Sequence, residues 1–161
     1  MSLDAFVNWL AESPLSIAIG GHNWVTPAVQ TVHILAIAAI MAGVLMTDLK
    51  ALGAVGRGEP MLRFTRRYGP SALVALFIAL VSGSTLIIGE PARSLQNPIF
   101  VLKMALLLSA LVLTAAIHGP ILRDESFWTG RTLALRGLAG LSLLIWMSII
   151  FAGRWIAYAV T

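Results

Sequence analysis

The chain has 161 residues, 58% hydrophobic and 11% charged, with a mean hydropathy of +0.89. That balance excludes an ordinary water-soluble domain and points to a polytopic membrane protein in contact with the lipid bilayer. The formal charge of +4 fits Lys and Arg gathered in loops at a membrane surface and implies no nucleic-acid partner. Without cysteine, disulfides, thiolate metal sites and covalently attached c-type haem are excluded.

Residues 2–12, SLDAFVNWLAE, are too short and polar to span a bilayer, and with Asp4, Glu12 and no basic start they do not read as a cleavable signal. Leu3, Phe6, Val7 and Leu10 share one helical face, so the stretch is expected to lie on the membrane surface or cap the bundle. Pro14 ends it, and a connector with His22 and Trp24 follows. The first span is expected at 27–48, with Thr26 as N-cap, Pro27 in the first helical position and Asp48 closing the helix. Ala36, Ala39 and Gly43 form a small-residue face that permits close helix approach. The second span is expected at 70–88, with Ser82-Gly83-Ser84 as a further contact surface. The third is expected at 98–118, starting at Asn97-Pro98 and ending at His118-Gly119-Pro120. The fourth is expected at 137–153 and leads into Gly153-Arg154-Trp155. One all-α, four-helix membrane domain over 1–161, with a short N-terminal interfacial helix, is the fold these patterns imply.

Four spans place both termini on one side. The termini and the second loop hold three of the 11 Lys and Arg residues, and the first and third loops hold eight. The first and third loops are therefore expected in the cytoplasm, with both termini outside, in a bacterial inner membrane.

Polar groups at membrane depth are the candidate functional residues. At about 1.5 Å per residue, His33 and Lys103 fall in the outer leaflet, and His118 falls near the inner end with Asp48. His33 and His118 are candidate haem or metal ligands, because neutral imidazole ligates both. Their depths differ by about 20 Å at that rise, so they are not expected to share one iron. Each has a methionine near its own depth, Met104 for His33 and Met46 for His118. Lys103 either snorkels to the interface or pairs with Glu90 or an anionic ligand. Arg154, Trp155 and Tyr158 form an interfacial anchor or a cradle for haem propionates or a quinone head. His22 and His33 with nearby methionines make copper a further candidate.

The order of motifs resembles a family of small bacterial four-span inner-membrane proteins that carries only a domain-of-unknown-function label. The resemblance rests on Val32-His33-Ile34-Leu35, the run from Asp48 to Gly53, Asn97-Pro98 through Lys103, Ile117-His118, LSLLIWMSII at 141–150, and Gly153 through Tyr158. It implies the four-span topology and singles out His33, Asp48, Lys103, His118 and Arg154. More distantly the layout is similar to the copper-resistance protein D membrane domain and to four-helix b-type cytochromes. Those likenesses imply haem b or copper. The expected function is a haem-b-binding or quinone-linked electron-transfer subunit, with a redox partner protein and a homo- or hetero-oligomer. The alternative is a non-enzymatic copper-handling or structural partner subunit.

Overall fold

A computed structural model describes residues 2–155; Tyr158 of the expected anchor lies outside them. Among the described residues there are seven helices: α1 (Leu3–Ala11), α2 (Pro14–Gly20), α3 (Val25–Leu52), α4 (Met61–Gly89), α5 (Pro91–Leu95), α6 (Pro98–Arg123) and α7 (Thr132–Trp155). Four of them, α3, α4, α6 and α7, are long and apolar enough to cross a membrane.

Each long helix exceeds the span expected for it, for identifiable reasons. α3 starts at Val25, not at Pro27, and Trp24 rather than Thr26 is the N-cap, without a side-chain hydrogen bond. It runs past Asp48 to Gly53, whose φ of 83° stops the helix in the left-handed conformation that glycine adopts at little cost. Asp48 therefore lies inside the helix, only 1% exposed, and does not meet the headgroups. α4 starts at Met61 and carries Pro70 in its interior, so Arg63, Arg66 and Arg67 stand on its first turns rather than in a loop. His118 does not end α6, which continues through Pro120 to Arg123. An internal proline removes one ladder hydrogen bond, which membrane helices tolerate when neighbouring groups compensate. One turn before Pro120, the Trp128 indole donates to the Ile117 carbonyl at 3.0 Å. The connector after Pro14 is also helical, because Ser13 caps Ser16 N–H and Pro14 occupies the first turn.

The packing follows chain order. α3 lies against α4, α6 against α7, α3 against α7, and α4 more lightly against α6. Among the described residues neither diagonal pair, α3 with α6 or α4 with α7, packs together. The bundle is thus a four-cornered ring whose centre separates α3 from α6. Gly43 permits the close α3–α4 approach, since a Cβ there would stand 3.1 Å from Ala72 Cβ. Ala36 of the expected small-residue face is buried, whereas Ala39 lies at the rim of a groove facing outward.

The interior has two apolar clusters. One joins Ala36, Ile40 and Val44 to Ala79, Ala110, Trp146 and Ile149. The other joins Ala51 to Ile117, Ile121, Leu135 and Ala139. Outside, Leu73, Phe77, Leu108, Val112, Leu144 and Phe151 are exposed along the spans, an apolar belt that suits lipid contact. Helices α1, α2 and α5 cap one end, where Val7 of the expected α1 face is 2% exposed. The other end holds the basic loops.

Candidate functional site

The capped end gathers one feature from each corner helix. His33 is the ninth residue of α3, about 12 Å from its start at about 1.5 Å per residue. Its Nδ1 lies 2.9 Å from Ser82 Oγ on α4. Ser82 donates its own proton to the Ile78 carbonyl at 2.7 Å, so its oxygen is left to accept. The ring therefore donates Nδ1–H, and Nε2 keeps the lone pair. Gly83 makes room for the ring: a Cβ there would stand 3.1 Å from His33 Cε1.

Lys103, the sixth residue of α6, reaches across to α7. Its Nζ and Cε would lie 3.7 Å from a Cβ at Gly153. It is half-buried and within electrostatic reach of His33. α3 and α6 are diagonal, and the two side chains reach different neighbours, His33 against Gly83 of α4 and Lys103 against Gly153 of α7. The expected partner Glu90 is engaged elsewhere, with Arg93 at 2.8 Å. That pair and Arg63–Glu59 are the ion pairs among the described residues, so the Lys103 ammonium has no carboxylate. Arg154 and Trp155 follow Gly153 at the rim and are exposed, Trp155 at 63%.

The basic end places the other histidine in a similar setting. His118 Nδ1 lies 3.0 Å from Thr65 Oγ1 on α4. His33 and His118 thus hang on opposite ends of α4, on helices that do not touch, in keeping with the depth arithmetic. His22 is exposed in the turn between α2 and α3, and its Nδ1 bonds the Ala18 carbonyl of α2. Among the described residues, no three His, Asp or Glu side chains converge to hold a metal ion.

Asp48 sits deeper than its sequence position suggests, packed toward Ser142 of α7. By strict hydrogen-bond geometry neither Asp48 Oδ2 nor Ser142 Oγ is satisfied, so the contact is looser than a full hydrogen bond. Thr114 Oγ1 and Trp146 Nε1 are also buried without partners. Sequence reading takes Ser82 only as part of a helix contact surface and misses Thr65, Ser142, Thr114 and Trp146. Single hydroxyls in apolar runs carry no motif, and only the four-residue step from Ser142 to Trp146 on a buried face hinted at them.

An apolar groove on the lipid side of α3 and α4, lined by Val29, Val32, Phe77, Ile78 and Val81, runs up to Ser82. It leads from the membrane toward the hydroxyl that holds His33.

Residues 6–159 match the family of unknown function DUF6644, and the chain belongs to it. No curated protein and no solved structure matches the chain.

Proposed function

We propose that this member of the family is a quinone-binding membrane subunit of an electron-transfer system, and that His33 and Lys103 hold the head group. The carrying observation is that an imidazole fixed by Ser82 and an ammonium without a carboxylate among the described residues stand within electrostatic reach of each other on diagonal helices. A quinone head has two carbonyl oxygens on opposite sides of a flat ring. Lys103 supplies a charged donor to one of them. His33 stands opposite, and its Nε2 lone pair accepts the hydroxyl hydrogen at the other oxygen once the ring is reduced. The groove beside Ser82 suits an isoprenoid tail lying against the bilayer. The electrons come from a redox partner protein, and the chain's own residues bind and orient the ring. By the charge count the site belongs to the outer leaflet of a bacterial inner membrane.

The test is a titration of the purified full chain in detergent with a short-chain quinol, read by quenching of tryptophan fluorescence. Saturable binding is expected, and Lys103→Leu and His33→Gln should each weaken it about tenfold, since a charge-assisted hydrogen bond contributes about 1.5–3 kcal/mol. Non-saturable uptake that is equal in wild type and both variants would refute the reading.

A haem b reading has one observation of its own. With Nδ1–H donated to Ser82, His33 presents Nε2 in the state an axial ligand needs, with the hydroxyl orienting the ring. An absorption spectrum of protein expressed with added haem tests it: a Soret band that His33→Ala abolishes supports it, and a featureless spectrum removes it.

A further inference from the structure

We propose that Asp48, Thr114 and Ser142 form a buried site for a small monovalent cation of sodium type, roofed by Trp146, in the half of the bundle nearer the basic loops. The site is independent of the quinone reading.

Register places these residues in one layer. On α7, Ala139, Ser142, Trp146 and Ile149 recur on one buried face. On α6, Ala110, Ile117 and Ile121 do the same, and half-buried Thr114 falls between them with its Oγ1 buried. On α3, Val44, Asp48 and Ala51 follow one another. Val44, Ala110 and Trp146 belong to one apolar cluster, and Ala51, Ile117 and Ala139 to the other. Asp48, Thr114 and Ser142 lie between the two. Side chains tilt toward the start of their own helix. α3 and α7 run in opposite directions, so Asp48 leans toward the Trp146 layer and Trp146 leans back toward Asp48.

Four polar atoms in this layer are buried without partners: Asp48 Oδ2, Thr114 Oγ1, Ser142 Oγ and Trp146 Nε1. Asp48 and Ser142 are each 1% exposed. Three of the atoms are oxygens from three helices, the donor type that hard cations take. A buried carboxyl group is either neutralised by a proton or balanced by a positive charge, and the surrounding unpartnered oxygens favour the cation. Among the described residues no basic side chain forms an ion pair with Asp48. Lys50 donates to the Gly56 carbonyl and lies over the Phe64 ring, and the Arg136 guanidinium rests beside Gly53. One carboxylate balances one charge, so a divalent ion would leave net charge in the interior, and among the described residues no further acid joins the layer. The indole N–H of Trp146, a donor with no partner of its own, closes the layer from above and cannot itself ligate the cation.

The experiment is thermal unfolding of the full chain in detergent in sodium, potassium or choline chloride at equal ionic strength, with equilibrium dialysis against radioactive sodium. Wild type should show a saturable, sodium-specific rise in Tm and bind a single sodium per chain. Asp48→Asn should lose both. Ser142→Ala keeps the charge and should weaken sodium affinity at least tenfold, which preserves the test if Asp48→Asn does not fold. A Tm equal in sodium and choline would overturn the proposal and leave water as the layer's occupant. A sodium effect that survives in both variants would overturn it as well.

Discussion

Ser82→Ala tests the link between bundle packing and the site at the capped end. It removes the acceptor 2.9 Å from His33 Nδ1 and the hydroxyl bonded to Ile78, while changing the volume little. The back-bond to Ile78 contributes little net, because that carbonyl already sits in a helix ladder. The loss falls on His33, whose Nδ1–H is left in a half-buried, membrane-depth setting. Hydrogen bonds between membrane helices average about 0.6 kcal/mol and reach about 1.7 kcal/mol, while an unsatisfied buried donor costs about 1–3 kcal/mol. A destabilisation of about 1 kcal/mol follows, roughly fivefold in an equilibrium constant. Because the ring is then free to turn, quinol affinity should fall by a similar or larger factor. Both quantities are measurable on one preparation, by unfolding in mixed detergent followed by circular dichroism and by the fluorescence titration. Ser82→Thr keeps the hydroxyl and should restore most of the affinity. If Ser82→Ala changes neither stability nor affinity, the hydroxyl does not hold the imidazole and the reasoning fails.

Gly43→Val should separate α3 from α4: the first added carbon already stands 3.1 Å from Ala72 Cβ, and overpacking costs about 1–3 kcal/mol in unfolding free energy. Gly56→Ala and Gly58→Ala form a matched pair in the first basic loop. Both glycines have positive φ, 63° and 86°, but a Cβ at Gly56 meets the Phe64 ring at 2.5 Å while one at Gly58 meets nothing within 4 Å. Gly58→Ala should therefore cost only the backbone strain, about 1 kcal/mol, and Gly56→Ala clearly more in the same unfolding assay. Asp124, beyond the end of α6, is held below the ordinary carboxylate value by hydrogen bonds from the Ser126 hydroxyl and backbone N–H. A depressed folded-state pKa contributes stability that is present above the unfolded value of 3.8 and is lost as pH falls through the lower folded value. Ser126→Ala should move the Asp124 midpoint upward in an NMR titration, and an unchanged midpoint would contradict the assignment.

The four spans, the capping α1 and the separation of His33 from His118 are legible in the sequence, because hydropathy and rise per residue are properties of single helices. Helix ends are less so. Pro70 and Pro120 look like boundaries in a soluble chain, but in an apolar bundle the surrounding helices carry the helix through them. The Lys103–Glu90 pairing is plausible by depth alone and is overruled by Arg93, three residues from Glu90 and already in reach. The burial of Asp48 depends on which way α3 turns at its end, and a helix that is apolar all round shows little polar–apolar alternation by which to read its buried face. Its neighbours Thr114, Ser142 and Trp146 come from two other helices, so only tertiary packing identifies them.

The two histidines share a single support, since Thr65 and Ser82 both belong to α4. These residues are 17 positions apart, about 26 Å along the axis at about 1.5 Å each. At about 100° per residue their side chains end up about 100° apart around the helix, close to the right angle between the two neighbours of a corner in a square. The residue count between them therefore acts as a key cut to the bundle's cross-section. Inserting or deleting one residue in α4 would turn one hydroxyl away from its imidazole by about 100°, whereas a seven-residue change would nearly restore the phase and shift the depth instead.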